Sequence, residues 1–209
     1  MNVLVIAPHP DDESIGCGGT LCKHARGGDH VIVVYLTSGE LGLKHLPRDE
    51  AWEIREKEAR SAGKMLGFSE IIFLRGPDWC VADAAERLSS ELKAVFRETR
   101  PALVYLPHAL EWHPDHKAAL PIVRASIRSS GIEEPTLRGY EIWTPLSEFD
   151  HVEDITSVML VKLRAVRAHR SQCKQLPYDR AVRGLNEYRG ALAAKSRYAE
   201  VFQVIRPGS

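Results

Sequence analysis

The order of elements along the 209 residues predicts an α/β fold: a three-layer α/β/α arrangement with a mostly parallel sheet, in a single domain spanning 1–209. Three observations predict it. Short, continuous apolar runs alternate with longer stretches of helical period as far as Gly131. The apolar runs lack polar alternation, as in strands covered on both faces. Each helical stretch stops at glycine or just before proline, and no repeat or Ser/Gly-rich linker divides the chain.

Asn2–Ala7 reads as the first strand, followed by a helix over Gly16–Arg26 that stops at Gly27-Gly28. Val31–Thr37 is a second buried strand, and Asp49–Leu66 a long helix ended by Gly67. Ile71–Leu74 gives a third strand. Asp83–Thr99 gives a third helix, broken at Arg100-Pro101 because the residue before proline avoids helix. Leu103–Leu106 is the fourth strand and Lys117–Ser130 the fourth helix. Beyond Gly131 the pattern weakens: Gly139–Trp143 resembles a strand, and Val158–Cys173 and Arg180–Ala194 resemble helices.

Composition excludes several classes. Lys plus Arg and Asp plus Glu both number 28, so the basic excess of a nucleic-acid binder is missing. Apolar runs such as Val31–Leu36 are far too short to span a bilayer, so no membrane partner is expected. The first residues carry no basic n-region or cleavage site. Cys17, Cys22, Cys80 and Cys173 fit neither a zinc ribbon nor a disulfide framework. A cytoplasmic protein with reduced thiols is expected; oligomeric state stays open, a homo-oligomer included.

In a doubly wound sheet, ligands bind beyond the carboxyl ends of the strands where strand order reverses, usually between the first and fourth strands. The loop after the first strand is Pro8-His9-Pro10-Asp11-Asp12-Glu13, and the loop after the fourth holds His108 and His113-Pro114-Asp115-His116. His9, Asp12 and His116 suit zinc: two imidazoles, one carboxylate and an open fourth position for water, whose pKa a catalytic zinc lowers to about 7. Asp11 must point away from Asp12, which sets a spare carboxylate beside that water as a general base. His113 lies near the ion without ligating it, and Asp115 is placed to hold an imidazole and keep it cationic. Read as polar turns, either cluster alone is ordinary. Two on converging loops are not.

His9-Pro10-Asp11-Asp12-Glu13 with His113-Pro114-Asp115-His116 resembles the LmbE/PIG-L superfamily of metal-dependent N-acetylglucosaminyl deacetylases. Arg55-Glu56-Lys57-Glu58-Ala59, Tyr140-Glu141-Ile142-Trp143, His169-Arg170-Ser171-Gln172 and Tyr198-Ala199-Glu200-Val201-Phe202 extend the resemblance along most of the chain. It implies a Rossmann-like fold and a zinc enzyme (ferrous iron being the alternative) that removes acetyl from an N-acetylated amino sugar. It implies His9, Asp12 and His116 as metal ligands, Asp11 as general base, and His113 as the stabiliser of the oxyanion with Asp115 orienting it. The resemblance also favours substrate contact for Arg55.

Other residues carry two readings. Arg55 and Glu58 fall within the apolar arc of Ala51, Ala62, Met65 and Leu66, so each needs a partner: a buried ion pair, or for Arg55 a substrate group. Glu13 either meets a substrate hydroxyl or stabilises the following helix N-terminus. Trp112 either offers a sugar ring a platform or packs. His108 and His169 read as packed. Gly16-Cys17-Gly18-Gly19 lacks the spacing of a dinucleotide fingerprint, since Leu21 stands at the third position, and reads as a close-packing device. Two other functions stay open: an amidase for a larger thiol or sugar conjugate, and a sugar- or nucleotide-binding module with a structural metal.

Overall fold

The computed structural model describes residues 1–206. In chain order its elements are β1 (Asn2–Ala7), α1 (Asp12–Gly16), α2 (Gly18–Arg26), β2 (His30–Thr37), α3 (Arg48–Leu66), β3 (Glu70–Gly76), α4 (Ala85–Thr99) and β4 (Leu103–Pro107). There follow α5 (Pro114–Ser130), β5 (Thr136–Tyr140), β6 (His151–Asp154), α6 (Met159–Ala168), α7 (Arg170–Cys173), α8 (Tyr178–Arg189) and β7 (Ala199–Ile205). The sheet order is β3-β2-β1-β4-β5-β7-β6. Strands β1 to β5 run parallel, and β7 lies antiparallel to both β5 and β6.

Successive side chains of a strand point to opposite faces, so β1 and β2 feed two cores. Leu4, Ile6, Ile32, Val34 and Leu36 meet Leu88, Leu92 and Phe96 of α4 and Ile122 and Val123 of α5. Val3, Val5, Ala7, Val31, Val33 and Tyr35 meet Leu21 of α2 and Ala59 of α3 on the other face. Each fully buried aliphatic side chain contributes about 1.5–3 kcal/mol, which is why these runs admit no polar residue. A third cluster joins Cys22 and Leu66 to Met159, Leu163 and Val166 of α6 and Val182 of α8. No helix among the described residues is long and apolar enough to cross a membrane.

Strand β1 pairs with β2 on one side and β4 on the other, so the expected reversal lies between β1 and β4. Their following loops converge at one end of the sheet. The helix expected over Gly16–Arg26 is α2, starting at Gly18 after an unexpected short α1 that ends at Gly16, and what fixes its start is distant in sequence. Glu200 of β7 accepts the Gly19 and Thr20 backbone N–H groups at 2.8 and 2.7 Å, satisfying the orphan donors of a new helix start. Its buried carboxylate also pairs with Lys162 at 2.6 Å. The glycines do serve close packing: a Cβ on Gly19 would sit 2.8 Å from Ile155.

Differences concentrate after Gly131. The strand placed at Gly139–Trp143 runs over Thr136–Tyr140, because residues 142–144 donate their N–H groups to Glu111 instead of a neighbouring strand. The helix Val158–Cys173 breaks at His169, and Arg180–Ala194 resolves into α8 and a π turn over Gly190–Ala194. Strands β6 and β7 had no clear sequence signal.

Candidate metal centre and active site

The loop after β1 is anchored before it turns: Thr37 donates both its backbone N–H and its hydroxyl to the Pro8 carbonyl, at 3.0 and 2.9 Å. The chain then folds back so that the His9 N–H donates to Asp12 Oδ2 at 2.8 Å. Asp11, between them, takes φ 129°, a region that L residues rarely enter. Such strain persists only where surroundings impose it. Here Glu13 Oε2 accepts the Asp11 N–H at 3.2 Å, and Arg55 donates to the Pro10 carbonyl at 2.5 Å and lies 3.4 Å from Asp11 Oδ2.

The loop after β4 supplies the second half. Pro114 at the first turn starts α5, with His113 as its N-cap residue accepting the Asp115 N–H on Nδ1 at 3.2 Å. His9, His113 and His116 bring ligand-capable nitrogens within 4.8 Å of one another. Asp12 Oδ2 lies 3.2 Å from His9 Nδ1 and 3.2 Å from His116 Nε2. Tetrahedral bonds of about 2.0–2.2 Å set donor atoms about 3.3 Å apart, so Asp12 Oδ2 stands at ligand-to-ligand distance from each of these two imidazole nitrogens. His116 Nε2 is buried and has no hydrogen-bond partner. An orphaned imidazole nitrogen beside a buried carboxylate fits a divalent cation.

The carboxylates around the triplet fix its rings. His9 Nε2 lies 3.0 Å from Asp115 Oδ2 and 3.2 Å from Asp78 Oδ1. Asp115 also accepts the Trp79 and Val81 N–H groups, at 2.7 and 3.1 Å, and Asp78 Oδ2 accepts the Leu41 N–H at 2.8 Å. Behind His116, Glu111 Oε2 faces Nδ1 at 3.5 Å while Oε1 accepts three backbone N–H groups. Burial works against a cationic His9, but Asp115, Asp12 and Asp78 outweigh it and raise its pKa well above the ordinary value. Burial likewise opposes charge on Asp12, yet His116 and His9 hold its carboxyl well below the usual range. Burial pushes Asp11 up to about 6, against the pull of Arg55 and with the help of Asp12.

Four sequence expectations need correction. Asp115 does not hold His113 through its carboxylate, which is committed to His9 and two backbone amides. His113 is not cationic: burial first, then His9 and His116, lower its pKa to about 4, and Nδ1 is an acceptor, so Nε2 carries the single proton. Arg55 is buried and spends its guanidinium on the Pro10 and Gly39 carbonyls and Asp11, which braces the loop and leaves no reach toward substrate. Glu13 is fully buried beneath the loop, accepting the Asp11 N–H and the Ser14 hydroxyl, with His169 Nε2 3.7 Å away. Trp112 stands half exposed at the mouth, its ring centroid 5.5 Å from that of His113.

Sequence reasoning missed Asp78, Trp79, Glu111 and Trp143. Asp78 and Trp79 follow β3 at the same end of the sheet, which is a usable signal. Glu111 sits between His108 and His113 but was overshadowed by them. Trp143 ends the Tyr140-Glu141-Ile142-Trp143 motif of the resemblance, which marked the segment without marking the indole.

A family model described as GlcNAc-PI de-N-acetylase (PIG-L) matches residues 4–127. The chain is 34% identical to the diacetylchitobiose deacetylase of Thermococcus kodakarensis, over 81% of this chain and 69% of that protein. It is 32% identical to the 1D-myo-inositol 2-acetamido-2-deoxy-alpha-D-glucopyranoside deacetylase of Saccharomonospora viridis, over 81% of this chain and 84% of that one. Among solved structures, the conserved protein TT1542 from Thermus thermophilus superposes with a TM-score of 0.84 at 32% identity, covering 99% of this chain and 95% of that one.

Proposed function

Because the chain belongs to the PIG-L family, we propose that it is a cytoplasmic zinc-dependent hydrolase that removes the acetyl group from an N-acetylated amino sugar of N-acetylglucosamine type. One observation carries the reading: Asp12 Oδ2 lies 3.2 Å from both His9 Nδ1 and His116 Nε2, and the carboxyl of the adjacent Asp11 is raised to about 6. A divalent metal held by these three residues would supply Lewis acidity to the water and to the acetyl carbonyl.

The remaining chemistry belongs to the chain. Asp11 takes a proton from the attacking water as its oxygen bonds to the acetyl carbon. A carboxyl near 6 is mostly ionised at neutral pH and still basic enough for this transfer. As the carbonyl becomes tetrahedral, the neutral His113 donates its Nε2 proton in a hydrogen bond to the new oxyanion, a contact stronger in the transition state than in the substrate. The C–N bond then breaks and Asp11 returns its proton to the amine, leaving acetate and a free amino sugar. Asp115 and Glu111 act through His9 and His116, fixing the ring orientations that would hold a metal. Glu13 and Arg55 keep Asp11 in its strained position.

Metal analysis of the purified protein and fluorescamine detection of free amine from N-acetylglucosamine compounds test the reading together. The expected result is one zinc per chain and amine release that a chelator abolishes. Amine release unaffected by complete metal removal would contradict it.

A further inference from the structure

His169 stands at the break between two helices. Helix α6 ends at Ala168, and His169 leaves helical backbone at φ −77° and ψ 61° before α7 starts at Arg170. The short α7 is fastened on two sides. Ser171 donates its backbone N–H and its hydroxyl to the two carboxylate oxygens of Glu58 on α3, each at 2.7 Å. Gln175, just beyond α7, donates to the Gly42 carbonyl of the loop after β2 at 2.6 Å. Between these anchors the His169 side chain is buried, with its ring turned toward Ser14 and Glu13.

That ring ends a chain of polar contacts that reaches Asp11. Glu13 Oε2 accepts the Asp11 N–H at 3.2 Å, and Glu13 Oε1 accepts the Ser14 hydroxyl at 2.6 Å. His169 Nε2 lies 3.5 Å from that hydroxyl oxygen and 3.7 Å from Glu13 Oε1. The hydroxyl has one hydrogen and gives it to Glu13, so Nε2 must carry the imidazole proton and donate it. Nδ1 is then a bare acceptor, buried, with no hydrogen-bond partner among the described residues. An apolar side chain would fill the space without burying that nitrogen, and an unpaired buried acceptor costs stability. What the imidazole offers in return is the donor on its other side.

Resting on the deacetylase reading above, we propose that His169 is a positioning residue for the general base: through Ser14 and Glu13 it fixes the backbone of Asp11, and so the direction of its carboxylate. Asp11 at φ 129° is strained, and its N–H bond to Glu13 helps hold it there. Glu13 serves that N–H only while its own rotamer is fixed, and the donors gathered at Oε1 fix it. Arg55 restrains the same residue from the other side. The buried ring of His169 has no reach to substrate, so its effect on the reaction passes through Glu13 alone.

Amine release from N-acetylglucosamine, and NMR hydrogen exchange of the Asp11 amide, in zinc-loaded wild type, His169→Phe, His169→Gln and Ser14→Ala test the proposal. His169→Phe should lower kcat about 10–100-fold with KM and metal content unchanged. It should also speed exchange of the Asp11 amide about tenfold, the worth of one hydrogen bond. His169→Gln, whose amide N–H stands near the place of Nε2–H, should recover both. In an Asp11→Asn background the further loss from His169→Phe should vanish, because the residue it positions no longer acts as a base. An equal loss in both backgrounds, or a glutamine variant no better than phenylalanine, overturns the proposal in favour of plain support for the α6–α7 junction. Should His169→Phe fail to fold, Ser14→Ala cuts the same chain by one atom, and wild-type kcat with an unchanged Asp11 amide there overturns the proposal as well. No amine release by wild type, with Asp11 exchange quickened in His169→Phe and restored in His169→Gln, overturns the deacetylase reading and supports the positioning.

Discussion

Replacing Glu111 by glutamine alters one atom and should weaken metal binding before it weakens the fold. The wild-type side chain is fully buried, with Oε1 accepting the N–H groups of Ile142, Trp143 and Thr144 at 2.9, 3.0 and 3.1 Å and Oε2 facing His116 Nδ1 at 3.5 Å. In Glu111→Gln the amide oxygen must stay on those three donors, because turning the NH₂ toward them would bury donors face to face. The NH₂ then points at His116 Nδ1, which has to accept. The ring proton moves to Nε2, the atom meant for the ion. Loss of such an outer partner costs about 10–100-fold in metal affinity, or about 1.4–2.8 kcal/mol. Competition against a chelator of known zinc affinity measures the loss, and urea unfolding of the metal-free variant checks the fold. A variant that folds normally and binds zinc as tightly as wild type would refute the assigned tautomer and the role of Glu111 with it.

Asp11→Asn should keep its metal and lose about 10²–10⁴-fold in kcat, since an amide cannot take the water's proton; in wild type the acid limb of kcat/KM should fall at or below about pH 6, because Asp11 works ionised and is protonated as pH drops through its raised pKa. Retained kcat in the variant, or an acid limb centred above neutrality, argues for another base. His113→Gln should lower kcat about 10²–10³-fold by repositioning one oxyanion donor, with metal content intact and no alkaline limb removed, since the wild-type ring is already neutral. Disappearance of an alkaline limb in that variant would restore a cationic His113. Lys162→Met strips the cation from Glu200, both side chains being fully buried, and should cost about 3–5 kcal/mol of stability; a urea midpoint and slope equal to wild type would show that the helix amides alone neutralise that carboxylate.

The parallel half of the fold was legible because its strands are buried on both faces and carry unbroken apolar runs, as in Val3–Ala7 and Val31–Leu36. Strand β7 was not, because buried Glu200 interrupts its apolar pattern to cap α2 and meet Lys162, an arrangement visible only once three distant segments meet. The same distinction runs through the site. His9, Asp12, His113 and His116 stand out because His and Asp cluster at two sheet-end loops. The partners of those residues depend on rotamers and backbone donors, so Asp115 turned out to serve His9, and Arg55 and Glu13 the strained Asp11. Trp143 lies in a motif the sequence shows, but its place beside the site follows from the loop that Glu111 gathers.

Three groups around His9 can attract a cation: His9 Nδ1 with Asp12 Oδ2 and His116 Nε2, His9 with His113 and His116, and His9 with Asp78 and Asp115. Anomalous diffraction at the zinc edge, from crystals of the zinc-loaded protein, separates them directly. A single peak about 2.0–2.2 Å from His9 Nδ1, Asp12 Oδ2 and His116 Nε2 is the predicted result. A peak bonded instead to His9 Nε2 and the Asp78 and Asp115 carboxylates would contradict the account, because Asp115 would then be a ligand and the orphaned nitrogen of His116 would have no ion to meet.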